Sequence, residues 1–202
     1  MKRKGGRTTR VVAAAAVAAL LGLQVGLNVR MFLAEAYATN ATAARQSGDA
    51  LTRAWSLERA ATLAPFRSDL AHELGAARHA LGDLAGAQRA FEDSLALGPY
   101  AAHTLIASTR VETELGNFDA ARERVARVRA MLPDYWRVAV AAAAIDLHAG
   151  DPNKAVETLR AALELPGVER GPVMALLARA YAALGDSEQA LTCTEEAATL
   201  RR

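Results

Sequence analysis

An all-α solenoid of helix-turn-helix repeats, set behind one apolar helix, is predicted by three observations. A Gly-Asp or Gly-Asn pair recurs five times, at Gly48-Asp49, Gly82-Asp83, Gly116-Asn117, Gly150-Asp151 and Gly185-Asp186, spaced by 34, 34, 34 and 35 residues. Self-similarity at such a period marks a repeat architecture. Pro65, Pro99, Pro133 and Pro166 follow the first four pairs at the same interval to within one residue. Ala and Leu dominate, aromatics make up 5%, and alternating apolar-polar runs are scarce, so strands are not expected.

The chain opens on a basic tail, residues 1–10, with Lys2, Arg3, Lys4, Arg7 and Arg10 and no acid. Residues 11–29 then carry no charge. That run spans about 28 Å as a helix, close to the hydrocarbon thickness of a bilayer. A transmembrane helix over 11–33 is the reading taken forward. A cleaved signal peptide is the second, since Ala34-Glu35-Ala36 has a small-x-small form, although Arg30 intervenes. A buried soluble helix is the third. Five positive charges ahead of the run predict a cytoplasmic N-terminus with the rest across the membrane. Ala18, Gly22 and Gly26 fall at i, i+4 and i+8, a small-residue stripe suited to helix packing in lipid, though an Ala-rich helix also produces such stripes by chance. No Pro and no cluster of turn residues interrupts 11–46, so one long helix is expected, or a kink near 28–32.

From residue 34 the period takes over, in units 34–67, 68–101, 102–135, 136–169 and 171–202. In each unit the Gly takes the left-handed position that closes the first helix. The following Asp or Asn caps the second helix, and in the first four units a proline ends it. In 68–101 the first helix is expected from Ser68 to about Leu81, with Gly75 leaving room for its partner. The second places Leu84, Ala87, Phe91, Ser94 and Leu95 at helical spacing. Asp151 followed by Pro152 is a strong helix start. A stripe of this kind is buried only by stacking on neighbouring pairs.

These residues resemble the tetratricopeptide repeat. Leu74, Gly75, Gly82, Leu84, Ala87, Phe91 and Pro99 fall at its signature positions. The third unit keeps Gly116, Phe118, Ala121 and Pro133 but has Ser108 and Thr109 where the family has a large apolar and a small residue. The fourth keeps Gly150, Ala155 and Ala162, and the last keeps Tyr181, Gly185, Ala190 and Ala197. The first unit is weakest: it keeps Tyr37, Gly48, Ala60 and Pro65 but has Arg53 where a small residue is expected. The resemblance implies a right-handed superhelical solenoid of about five repeats and a protein-binding role. It also implies that the first helix of each pair lines a concave groove. Carried over residue by residue, the partner-binding positions are Asp69, His72, Ala76 and His79; His103, Ile106, Arg110 and Thr113; Arg137, Val140, Ala144 and Leu147; and Ala175 and Arg179. Family members that clamp acidic chaperone tails use Lys and Asn at set positions; here the lysine-type position holds His72, Ile106, Val140 and Ala175, so that clamp is absent. The apolar centre at Ile106, Val140 and Leu147 suits a packed helix or an extended apolar segment. Packing against neighbouring helices accounts for the same side chains.

No chemistry is legible. The four histidines include no i, i+4 pair for zinc, and neither a phosphate-binding Gly loop nor a G-x-S-x-G elbow occurs. Cys193 is the only cysteine, so there is no internal disulfide. Six of the 24 Lys and Arg lie in 1–33 and none of the 22 Asp and Glu does, which leaves a net charge of −4 from residue 34 onward. An acidic body without a basic stripe argues against nucleic acid. No enzyme activity, cofactor, metal or small-molecule substrate is expected. Helix 187–201 carries Glu188, Gln189, Thr192, Glu195 and Glu196, so it caps the solenoid end itself or is covered by a partner.

The expectation is a non-catalytic, single-pass interaction scaffold, an accessory or assembly subunit of a bacterial membrane protein complex. It would sit in the inner (cytoplasmic) membrane with its repeats periplasmic or otherwise extracytoplasmic. The Ala/Arg-rich composition suits a GC-rich genome. The alternatives are an adaptor regulating an envelope process, such as polysaccharide synthesis, pilus assembly or secretion, and a cleaved soluble periplasmic adaptor.

Overall fold

A computed structural model describes residues 5–98 and 101–200, with backbone only over 5–14. Lys2, Arg3, Lys4 and Pro99 lie outside the described residues. Ten helices and no strand occur among those described: α1 (Gly5–Ser47), α2 (Ala50–Leu63), α3 (Ser68–Ala80), α4 (Leu84–Leu97), α5 (Ala102–Glu114), α6 (Phe118–Met131), α7 (Trp136–His148), α8 (Pro152–Ala162), α9 (Arg170–Ala183) and α10 (Ser187–Thr199). They form two compact units, one ending at Leu70 and one beginning at Ala71.

The first unit is built on α1, which runs unbroken for 43 residues with no kink at 28–32. The helix already begins at Gly5, so the second half of the basic stretch belongs to it rather than to a separate tail. From residue 15 to residue 30 every residue is exposed, including Ala18, Gly22 and Gly26. Burial starts one turn later, with Ala34 at 0% exposure, then Ala41 and Ala44. These small residues admit α2, whose Leu57 and Ala60 are buried in turn. Asn40 Nδ2 donates to Ser56 Oγ (2.9 Å) across the pair.

In the second unit, successive helices pack pairwise and on the following pair. Three runs of core follow one another: Ala87, Phe91 and Val111; then Leu105, Val125, Val128 and Ile145; then Leu159, Val173, Leu177 and Tyr181. Gly75 makes the α3–α4 contact possible. A Cβ there would lie 2.7 Å from the Phe91 ring.

Each reversal has one geometry. Gly48, Gly82, Gly116, Gly150 and Gly185 have φ between +77° and +86°. The N–H of the next residue donates back to the carbonyl five residues earlier: Asp49 to Ala44, Asp83 to Arg78, Asn117 to Glu112, Asp151 to Asp146 and Asp186 to Tyr181, all at 2.8–3.0 Å. This is the Schellman bond that closes a helix on a left-handed residue. Asp49, Asp83, Asp151 and Asp186 then accept from the third residue of the following helix, as expected of N-caps.

Asn117 departs from that expectation and makes no cap bond. Its amide donates instead to Glu112 Oε2 (2.9 Å). Glu112 is 2% exposed, and a buried carboxylate needs partners. It also accepts from Gln88 Nε2 (3.2 Å) and pairs with Arg124 Nη2 (3.0 Å). The hydroxyls of Ser108 and Thr109, which break the family pattern, are buried and satisfied by their own helix, both donating to Leu105 O at 3.0 and 2.8 Å.

Two stability outcomes follow. No heavy atom lies within 4 Å of a Cβ built at Gly116, so a substitution there is penalised by φ +79° alone. Gly116→Val should destabilise by about 1–2 kcal/mol or more, while Gly116→Asn should cost less; equal melting temperatures for the two variants would contradict the left-handed assignment. Arg124→Met strands the Glu112 carboxylate and should cost about 3–5 kcal/mol in urea unfolding, with Glu112→Leu in the same chain restoring most of the loss.

A candidate protein-binding groove

The first helices α5, α7 and α9 lie side by side in the second unit. Each turns one stripe of side chains to the same open face. On α5 the stripe is Ile106, Arg110 and Thr113; on α7 it is Arg137, Val140, Ala144 and His148; on α9 it is Pro172, Ala175 and Arg179. The i, i+3/i+4 spacing of a helix brings each set to one side. With His79 at the end of α3, they enclose a groove of about 450 Å³.

Nine of the residues singled out from the sequence meet here: His79, Ile106, Arg110, Thr113, Arg137, Val140, Ala144, Ala175 and Arg179. Five do not line it. Leu147 packs against the core around Leu159 and Leu177, and the stripe continues to His148 instead. His72 accepts or donates through Nδ1 to Thr104 Oγ1 (3.0 Å) and stacks edge-on with His103 at 4.6 Å between ring centres. Ala76 packs against the Phe91 cluster. Asp69 belongs to the first unit, where Arg67 hydrogen-bonds it and holds its carboxyl below the usual range. Trp136, Glu114 and His148 line the groove without having been singled out. Glu114 follows Arg110 by four residues, so helical spacing could have found it; it pairs with His79 at 2.9 Å.

The floor is apolar and small: Ile106, Val140, Ala144 and Ala175 are half-buried. The charges are unevenly matched. His79 carries Glu114. Arg137 lies 4.6 Å over the Trp136 ring and reaches Glu169 at 3.0 Å. Arg110 and Arg179 are exposed and have no ion-pair partner among the described residues. The groove is open, with an apolar floor and two guanidinium groups that have no ion-pair partner among the described residues. At the far end, Ser187, Ala190, Leu191 and Thr194 border a shallow face of about 750 Å³ between α9 and α10, with Leu191 61% exposed. On α10, Glu196 pairs with Arg170 while Leu191 is exposed.

The family model of the tetratricopeptide repeat matches residues 172–202. No curated protein matches the chain. Among solved structures it is similar to TTC0263, a thermophilic tetratricopeptide-repeat protein of Thermus thermophilus, with a TM-score of 0.70 and 17% identity over 81% of this chain and 89% of that one. It is similar to MamA of Desulfovibrio magneticus RS-1, with a TM-score of 0.63 and 18% identity over 84% and 95% of the two chains. It is also similar to MamA from strain MSR-1, with a TM-score of 0.56 and 20% identity over 83% and 96%. Likeness at these identities establishes a shared fold.

Among the described residues, no group of three or more His, Cys, Asp or Glu is placed to hold a metal. Cys193 is buried in the last core cluster, and that burial, with Glu196 nearby, pushes its thiol above the usual range. A thiol so placed is a packing group rather than a nucleophile. Iodoacetamide at neutral pH should leave it largely unmodified in the folded chain and alkylate it fully in urea; rapid alkylation of the folded chain, followed by mass spectrometry, would contradict this.

Proposed function

We propose that this chain, which carries a tetratricopeptide repeat and has the tetratricopeptide-repeat fold, is a non-catalytic, membrane-anchored interaction scaffold, an accessory or assembly subunit of a bacterial membrane complex. The observation that carries the reading is the groove: an apolar floor beside Arg110 and Arg179, which have no ion-pair partner among the described residues. Such a groove suits a helix or extended segment that offers apolar side chains to Ile106, Val140 and Ala175 and carboxylates to the two arginines.

The anchor rests on α1. Within Ala15–Ser47 it is long and apolar enough to cross a membrane, and none of its most apolar window is buried. Leu20, Leu21, Leu23 and Val25 are 61–71% exposed, an apolar surface with no protein cover among the described residues. Lipid would supply that cover. The basic residues ahead of it favour an N-terminus in the cytoplasm and repeats beyond the inner membrane. Retention of the helix is favoured over cleavage near Ala34, because Ala34 is fully buried against α2 and Glu35 pairs with Arg67. Cleavage would remove packing on which the first unit depends.

Two tethered contacts, one through α1 in lipid and one through the groove, would hold one assembly more tightly than either alone. Gly22→Leu with Gly26→Leu should weaken association by blocking close helix approach. Ile106→Glu with Val140→Glu should weaken it by placing charge on the apolar floor. Each pair should leave partial binding and the combination should abolish it, measured by pull-down from mild detergent with circular dichroism confirming the fold. Undiminished co-purification with all four substitutions would move the partner to another face.

A further inference from the structure

We propose that the turn between α2 and α3, at Phe66, is a second membrane contact that rests in the headgroup region of the bilayer entered by α1; this depends on the membrane reading of α1. Three observations within the first unit meet at one level. Along α1 the change from all-round exposure to packing takes a single turn, between Arg30, the first charge after the apolar run, and Ala34. That turn marks where α1 would leave the hydrocarbon.

α2 runs back along α1 toward the same level. Asn40 meets Ser56; further down, the Arg30 guanidinium donates to Thr62 O (3.5 Å), and Arg67 Nη1 pairs with Glu35 Oε2 (2.7 Å). Thr62 and Arg67 flank the turn, so its chain is held beside residues 30–35, within about 8 Å of the boundary along the helix axis. A bilayer plane crossing α1 there meets the turn whichever side of the helix it occupies, and an ordinary tilt of about 20° shifts it little.

Phe66 sits on this turn between Pro65 and Arg67 and is 56% exposed. At the same level of α1, Phe32 is 74% exposed and Leu33 42%. Water leaves these three side chains uncovered. The boundary between headgroups and acyl chains takes up Phe and Leu side chains and gives Arg30 lipid phosphates to face. The occupant fitted is therefore a lipid surface continuous with that around α1.

The test uses the full chain in a Cys193→Ala background, with single cysteines from Leu23→Cys or Phe66→Cys. Each is labelled with an environment-sensitive fluorophore and reconstituted into vesicles of phosphatidylethanolamine and phosphatidylglycerol. Both positions should emit to the blue of the free fluorophore–cysteine adduct in buffer. Position 23 should be quenched most by lipid brominated deep in the acyl chain, and position 66 by a quencher carried on the headgroup. Water-like emission at 66 with position 23 in lipid would overturn the turn contact while leaving the anchor standing. Water-like emission at 23 would overturn the anchor reading, and this inference with it.

Discussion

One hydrogen bond sets the path of the chain: the N–H of the residue after each turn glycine returns to the carbonyl five positions back. It forms only when the intervening residue sits near φ +80°, where a side chain is strained. Because the bond recurs at one period, each first helix ends in the same phase, and the stripes on α5, α7 and α9 face the same way. The groove is a consequence of those turns.

The same turns determine where charge can be buried. The carbonyl that closes each helix belongs to a residue one turn inside it, and at two repeats that residue is acidic: Glu112 and Asp146. Both are largely buried, and each takes a cation from the second helix of its own pair, Arg124 and Lys154 respectively. At Glu112 the demand is strong enough to draw Asn117 away from capping. Breaking a buried pair of this kind costs far more than an exposed one contributes. α5 thus carries a polar interior that an apolar-stripe argument would place at a surface.

Helix boundaries were legible because Gly, Asp and Pro act locally, through φ, capping and a missing N–H. Groove positions were legible in part, since the helical period puts Ile106, Val140 and Ala175 on one face. What periodicity leaves out is the neighbour. Leu147 and His148 both lie near the α7 stripe, and spacing alone does not show that the half-buried Leu147 lies outside the groove while His148 lines it. The Glu112 set is scattered over three helices and a turn, with no fixed spacing to reveal it.

The unbroken path of α1 from its bare apolar stretch into the packed stretch has a mechanical meaning. Where the lower part of that rod lies in a bilayer, its upper part cannot swivel, because no glycine or proline hinge separates the two. The first hairpin then turns and tilts with the embedded segment, and a torque applied at either end is felt at the other. On that reading the first hairpin would explore no volume on a leash, and its encounters would be confined to the plane of the bilayer.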